Sequence, residues 1–163
     1  MNTIIHIKWE GPYRYAEVKH LRNDKSDYGI YQIYGPHAVY GSGVLLYIGK
    51  AAERTFGQRV EEHSWCEHIE DPANLEIYVG RLAGTTTPAT DLWIREIDLA
   101  ERLIIHTHSP AYNSQGIQDL RDPEVRNVRV FNWGKYRSLQ PEVSGERWVT
   151  KAEEIEALKI YGE

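Results

Sequence analysis

Glu101 stands in the stretch LAERLIIHTHSPAYN (residues 99–113) among Leu99, Leu103, Ile104 and Ile105. On a helix advancing by about 100° per residue it falls between Ile94 and Ile97, inside the apolar arc, while Arg95, Asp98 and Arg102 point elsewhere. A carboxylate there is costly unless something pairs with it. Two pairings suit it: an arginine, which makes it a half-buried structural glutamate, or a metal ion, which makes it a ligand. Tyr31 and Tyr47 lie in stretches of strand character, and a hairpin would bring both hydroxyls to one edge, although buried tyrosines also simply pack and find one partner. Arg59 and His63 are four apart and share a helical face, where an isolated pair reads as solvated surface. Asn113 reads as a turn residue. His106 and His108 read as histidines favoured by a helix C-terminus, not as a second metal site.

The elements that must position these groups follow from periodicity. TIIHIKW (3–9) alternates as a strand, and YGIYQIY (28–34) and VLLYIG (44–49) are rich in aromatic and β-branched residues. The glycine-rich stretch between the last two makes them a hairpin with a long tip. ERTFGQRVEEH (53–63) has helical spacing through Phe56 and Val60, and LEIYVGRL (75–82) is a further strand. A long helix follows, with Thr87 as N-cap and Pro88 at its first position, ending near His108 before Pro110. RNVRVFNW (126–133) reads as a strand, and KAEEIEALKIYG (151–162) as a short amphipathic helix with a glycine end. The order predicts an α+β fold, a small, largely antiparallel sheet flanked by helices.

The 163 residues suit one domain, 1–163, with a sizeable core. The start, MNTIIHIKWE, is too polar for a signal peptide or membrane span, so the expectation is a cytoplasmic protein without a membrane partner. The single cysteine, Cys66, leaves no internal disulfide and no Cys-rich zinc site. A formal charge of −5 argues against a protein that coats nucleic acid non-specifically, and leaves room for a local basic groove.

Taken in order, Gly29-Ile30-Tyr31, Tyr47-Ile48-Gly49, Arg59 with His63, Glu101 in AERLII and Asn113 in PAYN resemble the GIY-YIG nuclease family. Either tripeptide alone would mean little. The resemblance spans a motif core of residues 28–114 and leaves a C-terminal extension, 115–163. It implies a GIY-YIG endonuclease-like fold and an enzyme that hydrolyses phosphodiester bonds in DNA, with branched DNA or RNA as other substrates. It also implies a site built from Tyr31, Tyr47, Arg59, His63, Glu101 and Asn113. Glu101 would be the one protein carboxylate holding a single Mg²⁺ or Mn²⁺, a hard ion that keeps waters and takes substrate oxygens. Arg59 offers a planar donor fork to the scissile phosphate. Tyr31 would take the proton of the attacking water, His63 would accept or relay it, and Tyr47 would orient water or phosphate. A tyrosine needs neighbouring cations for this, such as Arg59, Lys50 or the metal. Asn113 would brace the site by hydrogen bonding. The Arg59-x-x-x-His63 spacing is more similar to the restriction-endonuclease branch than to the excision-repair branch.

The chain departs from the family in a longer hairpin tip, residues 32–46 separating the two tyrosines. From Arg121 to Lys151 seven basic residues face four acidic ones, with Phe131, Trp133 and Tyr136 interleaved. That segment is a candidate for backbone or base contacts, and equally a decorated surface strand. Two functions are open: a metal-dependent endonuclease, and a catalytically weak nucleic-acid-binding module or subunit that needs a partner.

Overall fold

The computed structural model describes residues 2–62, 72–117, 120, 122–149, 158 and 160–162. It is a mixed α+β structure whose single sheet runs β3-β2-β4-β1-β5-β6. The strands are β1 (Thr3–Tyr13), β2 (Gly29–His37), β3 (Gly41–Ala51), β4 (Glu76–Ala83), β5 (Val128–Gly134) and β6 (Glu142–Ser144). Four neighbouring pairs are antiparallel, and β1 with β5 is parallel. The α-helices among the described residues are α1 (Tyr15–Val18), α2 (Phe56–Glu62), α3 (Thr90–His108) and α4 (Glu146–Val149). None is long and apolar enough to cross a membrane.

Alternation along the strands divides the core in two. Ile5, Ile7 and Trp9 of β1, Ile30 and Tyr34 of β2 and Val130 of β5 pack with Ile97, Ala100, Leu103 and Ile104 of α3. On the opposite face Tyr31 and Ile33 of β2 and Ile77 and Val79 of β4 pack with Val18 of α1 and Phe56 and Val60 of α2. Burying such residues contributes roughly 1.5–3 kcal/mol for each large side chain.

Three sequence expectations are corrected here. The hairpin tip is short, because His37 pairs with Gly41 and only Ala38, Val39 and Tyr40 remain between them. The His37 Nδ1 closes that turn by accepting from the amides of Val39 and Tyr40 at 3.1 and 3.2 Å. Helix α3 begins later than Thr87-Pro88: its N-cap is Ala89, with no side-chain cap. Its C-terminal end falls as expected, with Ser109 in the left-handed conformation and its amide on the Ile105 carbonyl at 2.8 Å. Asp98 does not point away from the Glu101 face, because both carboxylates meet the Lys50 ammonium. The expected helix over 151–162 lies mostly outside the described residues, as does Cys66.

Candidate active site

The two tripeptides meet in the β2–β3 ladder, where Tyr31 lies opposite Gly49 and Ile33 opposite Tyr47. A register shift follows, so that Tyr34 pairs with Leu45 and Leu46 bulges. Tyr47, opposite Ile33, projects to the face of Tyr31, and the two rings approach to 6.1 Å between centroids. Gly49 makes this possible: a Cβ there would sit 2.5 Å from the Tyr31 Cζ and hydroxyl and 2.7 Å from Tyr47 Cε1. Gly29, at φ +150°, is as constrained, since a Cβ would come 1.9 Å from the Gly80 carbonyl oxygen.

Helix α2 brings Arg59 to this place. Its start is fixed by Phe56 and Gly57 amides donating to the carbonyls of Asp27 and Leu21, each at 2.9 Å. The Thr55 amide donates to Gln58 Oε1 at 3.0 Å, one half of a capping box spelled by Thr55-Phe-Gly-Gln58. Asp27 is held in turn by Arg81 at 2.6 Å. The half-buried Arg59 lines a cleft of about 650 Å³ with Lys50, Arg54, Arg95 and Asp98. His63, expected on the same helical face, lies outside the described residues.

Tyr31 is fully buried, and its hydroxyl makes no hydrogen bond of regular geometry. Burial, reinforced by Tyr47 and Glu101, pushes its ionisation well above that of an ordinary phenol, although Arg59 pulls the other way. Tyr47 is half-buried and lines a second cleft, of about 430 Å³, with Glu101 and Asn113. Burial and Glu101 raise it too, against the opposing pull of Arg59 and Lys50.

Glu101 approaches from α3, on the other side of the sheet edge. Its carboxylate is 14% exposed and 2.9 Å from the Lys50 ammonium, which also binds Asp98. The partner of Glu101 is thus a lysine from the strand beside it, not an arginine. Burial raises the Glu101 pKa, and Lys50 opposes this without cancelling it. Lys50 itself is held above the usual lysine range: burial works against its charge, but the Asp98 and Glu101 carboxylates outweigh it. Asp98 bridges further to Arg102 at 2.9 Å and Arg95 at 3.3 Å, and both arginines reach Asp122. Lys50 and Asp98 are the members of this cluster that spacing did not select. Asp98 precedes Glu101 by three residues, an i,i+3 relation that carried the signal.

Asn113 is placed by two hydrogen bonds to the backbone of Ile48: Oδ1 accepts from its amide and Nδ2 donates to its carbonyl, both at 2.9 Å. With the amides of Ala111 and Tyr112 on the carbonyls of Leu45 and Leu46, the turn after α3 is tied along the outer edge of β3. Asn113 also closes the turn that local sequence suggests, its amide on the Pro110 carbonyl at 3.3 Å, and from there its side chain braces β3.

The donor set fits one hard divalent ion of limited protein ligation. Among the described residues no three His, Cys, Asp or Glu side chains converge as a protein-only cage. Mg²⁺, however, takes one or two carboxylates and fills its remaining positions with water and substrate oxygens. Glu101 and Asp98 already share one cationic group and open on adjoining clefts. Of the segment 121–151, Arg137 is spent on Glu76 and lies over the Tyr34 ring at 4.3 Å, and Tyr136 packs on the core. Phe131 and Trp133 face outward. Comparison of the chain with family models, curated proteins and solved structures gives no match.

Proposed function

We propose that this protein is a metal-dependent endonuclease of the GIY-YIG type that hydrolyses phosphodiester bonds in DNA. The observation that carries the reading is convergence: Tyr47, its ring 6.1 Å from that of Tyr31, lines one cleft with Glu101 and Asn113, and Arg59 lines the adjoining cleft that shares Lys50 and Asp98. A purely structural glutamate would not require two tyrosines, an arginine and a lysine beside two clefts that share Lys50 and Asp98.

Phosphodiester cleavage needs charge stabilisation at the phosphate and a route for the proton of the attacking water. The guanidinium of Arg59 offers two parallel donors to the phosphate oxygens. Glu101, with Asp98 one turn before it, supplies the oxygens that would hold one Mg²⁺ or Mn²⁺, and that ion adds positive charge at the phosphate and leaving oxygen when bound. Because Tyr31 is buried and Tyr47 lines the cleft, Tyr47 is the hydroxyl that meets the attacking water, and Tyr31 holds its ring. This exchanges the roles that the family resemblance assigns. A neutral Tyr47 can take up the water's proton only as it passes on its own, and the family pattern gives that relay to His63. Asn113 fixes the edge of β3 on which Tyr47 is carried.

The test is nicking and linearisation of supercoiled plasmid in Mg²⁺ or Mn²⁺, beside EDTA, Glu101→Gln and Arg59→Lys. The expected result is metal-dependent cutting, abolished in Glu101→Gln and reduced by about 10²-fold or more in Arg59→Lys. Undiminished cutting by a folded Glu101→Gln protein would reject the assignment. The Lys50–Glu101 ion pair favours one second reading, since it satisfies the carboxylate without a metal: a weakly active nucleic-acid-binding module of the same fold. In that case purified protein binds DNA, cuts none, and Glu101→Gln changes stability alone.

A further inference from the structure

The helices α1 and α2 cover their face of the sheet over β2, β3, β4 and the end of β1 at Tyr13. Over the rest of β1 and over β5 no described helix covers the same face, and alternation places there Ile4, His6, Lys8, Arg129, Phe131 and Trp133. In the parallel register His6 lies beside Phe131 and Lys8 beside Trp133. The rings form a continuous strip: His6 to Phe131 at 5.5 Å and 30°, Phe131 to Trp133 at 6.4 Å and 19°. The Trp133 Nε1 donates to His6 Nδ1 at 3.0 Å, which locks the indole although its residue is 53% exposed. Beside it lies a shallow hollow of about 310 Å³ lined by His6, Lys8, Ala83 and Trp133.

Around the strip three cations, Lys8, Arg81 and Arg129, stand with two carboxylates, Glu10 and Glu142, the latter beside Phe131 in the β5–β6 ladder. Lys8 forms no ion pair among the described residues, and Arg129, one alternation before Phe131, has only Glu142 at 3.9 Å. Arg81 and Glu10, further along, neutralise each other at 2.8 Å. Helix α4 is not the cover, because Trp148 packs against His106 of α3 on the opposite side. An apolar protein partner would bury Lys8 without a counter-charge and Arg129 with only the longer contact to Glu142, which is costly. An unpaired base has a flat π-face for each ring and a linked phosphate for each cation.

We propose that the open face of β1 and β5 is a stacking platform for single-stranded nucleic acid, with bases on His6, Phe131 and Trp133 and phosphates against Lys8 and Arg129. The inference rests on the nucleic-acid part of the function above and not on cleavage. It gives the molecule a second contact, remote from Glu101 and placed to hold an unpaired segment of a substrate.

The probe is fluorescein-labelled oligothymidylate of twelve residues, titrated with the full chain in EDTA and followed by anisotropy. The expected result is salt-dependent binding that falls about tenfold or more in Trp133→Leu and stays within about threefold of wild type in Trp133→Phe, as base–aromatic stacking implies. The double variant Lys8→Ala/Arg129→Ala should lower the slope of log K against log salt by about 1.4, the value for two single-strand phosphate contacts. Equal binding by a folded Trp133→Leu protein, or no binding by wild type, would overturn the platform. So would a wild-type dimer that Trp133→Leu converts to a monomer, since the face would then be a self-interface. All arms are read without divalent ions, so failure of the platform is distinguishable from failure of the nuclease reading.

Discussion

Replacing Lys50 by methionine removes the ammonium that Asp98 and Glu101 share while keeping the length of its apolar stem. Asp98 keeps Arg95 and Arg102, so the loss falls on Glu101, which has no other partner of comparable closeness among the described residues. The three side chains are 14–35% exposed, between the surface case of about 0–1 kcal/mol and the buried case of about 3–5 kcal/mol. The expected destabilisation at pH 7 is therefore about 1–2 kcal/mol, or about 0.5–1 M in the urea midpoint. Its pH dependence is the discriminating part. The Glu101 pKa is already raised above its ordinary 4.5 by burial, and loss of the opposing ammonium raises it further. A carboxyl group with a raised folded pKa costs stability above that pKa and none once it is protonated in both states. The Lys50→Met penalty should then be full at pH 7–8 and shrink steadily towards pH 4.5, in EDTA. Ten millimolar Mg²⁺ should restore more stability to the variant than to wild type, because the ion takes over the charge of the missing ammonium. Urea titrations at pH 4.5, 6 and 8, with and without Mg²⁺, read both effects. A penalty that is the same at every pH would refute the electrostatic account and assign Lys50 to packing of its stem.

Gly49→Ala forces a methyl group into Tyr31 and Tyr47 and should cost about 1–3 kcal/mol in chemical denaturation; a change within about 0.5 kcal/mol would mean the rings move freely. Asn113→Ala strips two hydrogen bonds from the Ile48 backbone and should cost about 1–3 kcal/mol, and Asn113→Asp should not rescue it, since the Nδ2 donor is lost. Burial lowers the His108 pKa below 6.5, against the bond to the Ile104 carbonyl, and Nε2 accepts the Gln140 amide at 2.8 Å. A folded state that resists protonation is fully stable above pH 6.5 and loses stability as pH falls through 6.5 towards the lowered value. His108→Gln should therefore flatten the stability–pH curve between pH 7 and 5, where one proton is worth at most about 1.4 kcal/mol per unit; an unchanged slope would refute this.

The strands of the core were legible because their apolar residues alternate, and α3 because its apolar residues recur at helical spacing over nineteen positions. What escaped depends on contacts between distant segments. The parallel pairing of Thr3 with Val128 leaves no local trace. The three-residue tip was hidden because Gly41 and Gly43, which read as loop, occupy strand positions with positive φ. Thr87-Pro88 looked like a helix start because a cap and a proline are a sound local signal; the chain uses them just before the helix instead. At the site, Glu101 stood out through its place in an apolar arc, and Asp98 did not. Its position is set by Lys50, which belongs to a different element.

The bulge at Leu46 gives the site its logic. It sets two successive side chains on one face: Leu46 and Tyr47 both join the core beneath α2, where strict alternation would send Leu46 to the α3 side with Ile48. Beyond it ordinary alternation turns Tyr47 and Gly49 towards α2 while Ile48 and Lys50 face α3. An outermost strand is the only place where groups from both faces of a sheet can reach one another around a backbone, and β3 is outermost. Such an edge would ordinarily invite pairing with another chain. Here residues 111–113 occupy it as far as Ile48 and stop, and a cleft lined by Tyr47, Lys50, Glu101 and Asn113 follows. Asn113 thus does two things with one amide group: it pins the turn to the Ile48 backbone and lines the cleft that Tyr47 and Glu101 share.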